Sequence, residues 1–440
     1  MSHQAADENQ FISLAPIPLS KPFTFLAKLY LLGYAIYVAL LFNVRLDKEL
    51  DWLGLGLVLL GLFCIRSQQI ASLWQTLTLN PAMKLFSISL AGLVLVLSIA
   101  TFRQLPQTQG LLSLGAQCWM PLTLSIVTAL ILMSIKNPAM ILLAIFSLGA
   151  ATIAGFDIAL YYQQLSSASP MGVGNRHRDL TDAYIFFLPF IWACAIFAKS
   201  KLSRVILWML IILISVLSVG SGSRGVYIVL PFELLILMLI LFFFGFFKKR
   251  LISFTNLMSI LVILGLALWS AVLWLSPVLF NSALSRGLLV DERMLHTWKP
   301  TIFFISNAPW FGYGLGVSVW NTTYAAYQQQ LADTINFGGA HNWILQLGFV
   351  GGLPAIILML LLTAALFWQL KLICSNVHIK LWLKKLALVI GLSFFAFYIV
   401  RGLVETPNSK PFYLLITCFL YLAWQYQAAL NHQASVHKGL

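Results

Sequence analysis

The sequence predicts an all-α polytopic membrane protein with about twelve transmembrane helices. Composition is the first reason: 60% of the 440 residues are hydrophobic, 9% are charged, and mean hydropathy is +0.90. A soluble domain carries about 25% charged residues, so the bilayer is the solvent this chain is built for. Apolar runs recurring along the chain are the second reason. The third is that basic residues cluster between alternate runs, as they do on the cytosolic side of membrane proteins. The formal net charge of +14 is scattered between apolar runs. It therefore fits membrane orientation and anionic lipid better than nucleic acid.

A spanning helix needs about 20 mostly apolar residues. Runs at 23–42, 52–65, 85–102, 118–135, 139–162, 183–198, 205–219, 226–247, 257–280, 342–368, 386–404 and 411–428 qualify, with 52–65 the shortest on apolar length. Lys199, Lys201 and Arg204 separate 183–198 from 205–219 and support two spans there. An even number of spans puts both termini on one side. The loops on that side carry Arg66 and Lys84, Lys136, the 199–204 cluster, Lys248–Arg250, and Lys371, Lys380, Lys384 and Lys385. The positive-inside rule makes that side cytosolic. The expected organisation is a cytosolic segment at 1–22, helices 1–9 over 23–280, an outer segment at 281–341, helices 10–12 over 342–428, and a cytosolic tail at 429–440. The first twenty residues show no basic region leading an apolar stretch and no small-residue cleavage site. No signal peptide is expected, and the first helix would serve as the targeting signal. The five cysteines form no close-spaced pair, so free thiols are expected rather than a disulfide framework or zinc site.

Arginine and lysine sort differently across this topology. Eight of eleven arginines (Arg45, Arg103, Arg176, Arg178, Arg224, Arg286, Arg293, Arg401) fall outside, against three of sixteen lysines (Lys48, Lys299, Lys410). The positive-inside rule treats both residues alike, so it does not create this split. Guanidinium groups fork onto phosphate oxygens in bidentate geometry, whereas an ammonium acts as a point charge. The split points to an anionic substrate on the outer face.

Particular residues suit that chemistry. Gly220-Ser-Gly-Ser-Arg224-Gly225 precedes a span. Small residues there would let backbone amides and a helix N-terminus cradle a phosphate, with Arg224 adding charge. The bland alternative is a tight turn with a snorkelling arginine. Arg286 and Arg293 lie seven apart, which on a continuous helix shares a face. They form either a second phosphate clamp or local ion pairs with Asp291 and Glu292. The outer segment 281–341 also holds Leu288, Leu289, Trp298, Phe303, Phe304, Trp310 and Phe311, which suits short amphipathic helices at the bilayer surface.

His341 opens the run His341-Asn342-Trp343 behind two glycines. Imidazole titrates near neutrality and can take a proton, although a histidine at a helix start is more often structural. Asn342 adds a side-chain amide. Arg176 and Arg178, with His177, Asp179 and Asp182, form a cluster read either as a substrate entry or as a solvated loop. Arg401 and Glu405 are four apart, and a local i,i+4 ion pair is the favoured reading. Asp157 and Glu233 sit inside apolar runs, where acids are functional candidates. There is no Asp-x-Asp pair, Walker loop or Gly-x-Ser-x-Gly motif. A departing diphosphate would then be neutralised by arginine in place of a metal.

Three motifs together resemble the O-antigen ligase and polymerase superfamily of bacterial inner membranes. They are Ser223-Arg224-Gly225 before a span, Pro309-Trp-Phe-Gly-Tyr-Gly-Leu-Gly316 in the long outer segment, and His341-Asn342 followed by Leu345, Gly348, Gly351 and Gly352. Lipopolysaccharide O-antigen ligases are the branch they resemble most. The resemblance implies a C-type glycosyltransferase-like fold with a long periplasmic segment between helices 9 and 10. It implies an inverting, metal-independent transfer of glycan from undecaprenyl diphosphate to lipid A–core, with the active site facing the periplasm of a Gram-negative cell. No cofactor is expected; the partners are the two lipid-linked substrates and membrane lipids. The family's key arginines and histidine carry over to Arg224, Arg293 and His341, with Arg286 competing for the role of Arg293. Polymerases share these elements, so extension of lipid-linked glycan stays open. An ion-coupled transporter using Asp157 and Glu233 is the rival from a different class.

Overall fold

The computed structural model describes residues 21–43, 46–103, 108–135, 137–165, 173–198, 200–220, 226, 229–236, 294–331, 339–376, 379–403, 405–407 and 409–438. Among these the structure is helical throughout, without a strand. The fold is an all-α polytopic bundle, as the composition requires. The helices are α1 (Lys21–Leu40), α2 (Asp47–Leu62), α3 (Ser67–Leu79), α4 (Pro81–Phe102), α5 (Thr108–Leu114), α6 (Met120–Leu132), α7 (Pro138–Leu165), α8 (Val173–Phe197), α9 (Lys201–Gly220), α10 (Lys299–Asn307), α11 (Val317–Leu331), α12 (Trp343–Ser375), α13 (Leu381–Phe394) and α14 (Lys410–Lys438). A π-helical turn, Gly115–Trp119, joins α5 to α6. Seven helical stretches among the described residues are long and apolar enough to cross a membrane, or eight if the bent α2–α3 pair is one span. Thr24–Leu40 and Leu180–Ala195 are shorter apolar helices. The expected span at 257–280 and most of the one at 226–247 lie outside the described residues.

Two elements differ from the sequence expectation. Residues 66–84 read as a cytosolic loop, yet they hold α3, which turns 106° from α2. Arg66 at the corner has extended backbone, and its N–H donates to Gln69 Oε1 at 2.6 Å. Gln69 is buried and donates to Leu130 O and Ser134 Oγ, pinning α3 to the end of α6. Exposed Ile70 and Trp74 occupy the helix's other side, the amphipathic pattern of an interfacial helix. The second difference is that α8 begins at Val173 rather than 183. Arg176, His177, Arg178 and Asp179 therefore belong to a helix, not a loop.

Asn80 starts α4. Its Oδ1 accepts from Ala82 N at 3.0 Å, and Pro81 occupies the first turn, where no amide is needed. Its Nδ2 donates to Gln369 Oε1 at 2.7 Å, tying α4 to α12. Tyr30, Tyr34 and Tyr37 stack along α1, with Tyr30 hydroxyl bonded to Thr128 on α6. Phe42, Phe146, Phe186, Phe190 and Phe397 interleave α1, α7, α8 and the chain after α13.

The glycine motif of the outer segment has a physical reason. Helix α12 breaks at Gly352, which takes φ +70 and ψ −166. Pro354 lacks an N–H, so Val350 O loses its helical donor. The loop at 309–316 repairs this break. Tyr313 N donates to Phe349 O at 2.8 Å, Gly314 N to Val350 O at 2.9 Å, and Leu353 N returns a bond to Pro309 O at 2.7 Å. Gly312 and Gly314 take positive φ to do so. A Cβ on Gly312 would stand 2.4 Å from Phe349 O, and one on Gly352 would stand 2.4 Å from Pro309 O. Leu315 N also bonds Thr101 Oγ1, docking the loop on the end of α4. Gly352→Ala should therefore destabilise the fold by about 1–3 kcal/mol, because the left-handed backbone and the clash act together. Thermal unfolding in detergent checks this, with Gly56→Ala as the control, since nothing lies within 4 Å of a Cβ there. Equal midpoints for the two variants would contradict this account of the motif.

Candidate active site

The site is built where α12 begins. Asn342 is its N-cap: Oδ1 accepts from Leu345 N at 3.1 Å, and Nδ2 donates to Leu403 O at 3.1 Å. One amide thus fixes both the helix start and the chain after α13. His341 precedes it with φ +49, a conformation costing a non-glycine residue about 1 kcal/mol or more. That backbone delivers the imidazole to Glu405, with Nδ1 2.7 Å from Oε2. An ionised carboxylate only accepts, so beside one a neutral ring would carry its hydrogen on Nδ1 and its lone pair on Nε2. Side-chain exposure is 25% for His341 and 15% for Glu405. The pair is sheltered yet reachable.

Arg401 has a different role from the local ion pair expected with Glu405. Its Nε and Nη2 both reach Asp182 Oδ1, at 3.0 and 2.8 Å, and the residue is 3% exposed. Glu405 turns its side chain to His341 instead, and its backbone N–H donates to Arg401 O. The reason is geometric. Asp182 on α8 packs within reach of the buried guanidinium and takes both its Nε and its Nη2. Arg401 thus anchors the 401–405 turn to α8, and that turn presents Glu405 to His341 and Leu403 O to Asn342. Arg401 Nη1 is buried and has no hydrogen-bond partner among the described residues.

The structure brings together His341, Asn342, Glu405 and Arg401 from the candidates named in the sequence. Arg224, Arg286 and Arg293 lie outside the described residues. The chain just after Arg293 is described: the π-helical Met294–Trp298 leads into α10, which packs on α12. Ile305 of α10 would meet a Cβ on Gly348 at 2.6 Å, so that glycine permits the close approach. Arg176 and Arg178 lie on α8, the helix that also carries Asp182. Asp157 is buried on α7 and accepts from Tyr184 hydroxyl at 2.6 Å, and Glu233 is buried at 229–236.

Sequence reasoning missed a second group at the same end of the bundle. Lys410 Nζ lies 3.3 Å from Asp47 Oδ1 and 2.9 Å from Asp51 Oδ1, with its side chain 7% exposed. The signal was present, because Lys410 is one of few lysines assigned to the outside, and Asp47 and Asp51 stand one helical turn apart.

Residues 208–360 match the family model for O-antigen ligase (Wzy_C). The match spans roughly a third of the chain and includes Arg224, Arg286, Arg293, the 309–316 loop, His341 and the Gly352 break. Glu405, Arg401 and Asp182, which hold the histidine in place, fall beyond it. No curated protein matches the chain.

Proposed function

We propose that this member of the O-antigen ligase superfamily is an inverting, metal-independent glycosyltransferase. It moves O-antigen polysaccharide from undecaprenyl diphosphate to lipid A–core at the periplasmic face of the inner membrane. The observation carrying this reading is the His341–Glu405 pair, held at 2.7 Å inside or beside a segment matching O-antigen ligase. Glu405 keeps Nδ1 protonated, so Nε2 of His341 accepts the proton of an acceptor sugar hydroxyl. That oxygen bonds to the anomeric carbon as the carbon–oxygen bond to diphosphate breaks on the opposite face. The configuration inverts, and undecaprenyl diphosphate leaves with the bonding electrons. Arg224 and Arg293, with Arg286 as the alternative, neutralise the growing charge. Both substrates are lipid-anchored, which lowers the cost of bringing them together. The phosphate-linked donor is already activated, so no nucleotide is required.

Purified protein in proteoliposomes, given labelled lipid-linked glycan and each acceptor separately, tests the reading. Glycan on lipid A–core supports it. Longer lipid-linked glycan without labelled lipid A–core assigns a polymerase instead. Glycan flux across the vesicle without a covalent product assigns a transporter. Transfer should also persist in excess EDTA, and a loss reversed only by magnesium would contradict the arginine-for-metal argument.

A further inference from the structure

A cavity of about 410 Å³ is lined by Trp343 and Gln346 of the first turn of α12 and by Thr406, within the range of about 300–1,000 Å³ usual for small-molecule sites. It is assembled from residues of α2, α4, α12 and α14, the π turn before α6, and Thr406, Pro407 and Ser409. Two of its walls are continuous with the histidine pair. Gln346 lines it and accepts from Ala340 N, the residue before His341, at 3.0 Å. Thr406 lines it and follows Glu405. The Thr406 hydroxyl oxygen is buried and has no hydrogen-bond partner among the described residues.

The chemistry of the lining narrows the occupant. Its charged members among the described residues are Asp47, Asp51 and Lys410, a formal charge of −1. Lys410 is already shared between the two carboxylates. Among the described residues a phosphate would meet excess negative charge and no uncommitted cation. A purely apolar ligand would strip water from the carboxylates without replacing it. A sugar ring fits both demands. Its hydroxyls would donate to Asp47 and Asp51 and accept from the amides of Gln117 and Gln346. Its apolar ring face suits Trp343 and Tyr413 on the wall.

We propose that this cavity is the subsite for an unphosphorylated sugar ring of the lipid-anchored acceptor, with Asp47, Asp51 and Thr406 as recognition groups. The assignment to acceptor rather than donor rests on the glycosyl-transfer reading above. The base must stand near the hydroxyl it deprotonates, and the cavity is lined by Trp343, two residues after His341, and by Thr406, next to Glu405. Asp47, with its side chain 52% exposed, sits at the water-facing edge, where an incoming ring would be met first.

Two measurements on the full-length protein test this. In the reconstituted transfer assay, Asp47→Asn and Thr406→Val should each raise the KM for the acceptor, by about tenfold for the carboxylate, since hydrogen bonds to charged groups are stronger than those between neutral ones. The KM for the lipid-linked donor should stay within about twofold. Binding of dephosphorylated acceptor to the His341→Ala protein should weaken by the same factor when Asp47→Asn is added. Acceptor carrying a phosphate on its terminal ring should bind more weakly than the dephosphorylated form. Unchanged acceptor KM in both variants would overturn the subsite, as would a rise confined to the donor. If Asp47→Asn impairs folding, Thr406→Val decides alone. Wild-type protein that transfers no glycan defeats the functional reading itself, a result separate from any change in these constants.

Discussion

His341→Ala is expected to lower turnover about 10²–10⁴-fold, the range supplied by a positioned general base, while donor affinity stays near wild type. The expectation follows from where the imidazole sits. Glu405 occupies the Nδ1 side at 2.7 Å, so the proton-accepting nitrogen is the one turned from the carboxylate. Removing the ring removes the acceptor for the hydroxyl proton but no charge that holds diphosphate. Glu405→Gln should cost most of the same factor without touching substrate. An amide can offer its N–H to Nδ1 and stabilise the wrong tautomer, leaving Nε2 protonated and unable to accept. Glu405→Asp keeps the charge on a shorter arm and should fall between. Single-turnover transfer and donor binding, measured side by side, separate the two steps. Wild-type turnover in His341→Ala removes the general-base role. Full activity in Glu405→Gln removes the tautomer argument while leaving the histidine in place. Arg401→Met supplies the positioning control. It frees the 401–405 turn from Asp182, so it should shift kcat through Glu405 with little effect on donor KM.

Much of this arrangement was legible in the sequence for identifiable reasons. Apolar length alone marks the segments of α4, α7 and α12, because hydrocarbon demands about 20 residues of low polarity whatever the tertiary partners. His341 and Asn342 stood out because a titratable group and a helix-capping amide adjoin at the start of an apolar run. The partners of Arg401 and Glu405 were not legible. Local spacing suggested that they bond each other, and only the packing of α8 brings Asp182 within reach of the guanidinium. Asp182 lies 219 positions away in sequence, and no periodicity carries that information. The corner between α2 and α3 failed for a related reason. Its direction is set by Gln69 reaching Leu130 O and Ser134 at the end of α6, whereas residues 66–84 read only as the connection between two apolar runs. The glycines at 312, 314 and 352 were visible as a pattern. Their cause, a proline-broken helix whose carbonyls are satisfied by a distant loop, appears only when the two segments are docked.

Arg224→Ala and Arg293→Ala should each lower the transfer rate about 10²–10³-fold, the cost of deleting one preorganised donor to a developing anion. Membrane insertion should be unaffected. On the proposed reading the departing diphosphate takes its neutralising charge from the protein, and the sequence offers no Asp-x-Asp pair for a divalent cation. Guanidinium supplies that charge in a planar fork with two parallel donors, and an ammonium cannot reproduce the fork. Arg224→Lys and Arg293→Lys should therefore remain severely impaired, and near-normal transfer by Arg224→Lys would show that charge alone suffices. The double alanine variant sharpens the claim. Two residues acting on one leaving group form a unit, and losses within a unit do not multiply. The double variant should fall well short of the product of the two single losses. Strictly multiplicative losses would place the two arginines on separate tasks. The same series with Arg286→Ala decides which of the neighbouring arginines holds the phosphate: the one whose loss fails to multiply with that of Arg224 belongs to the clamp.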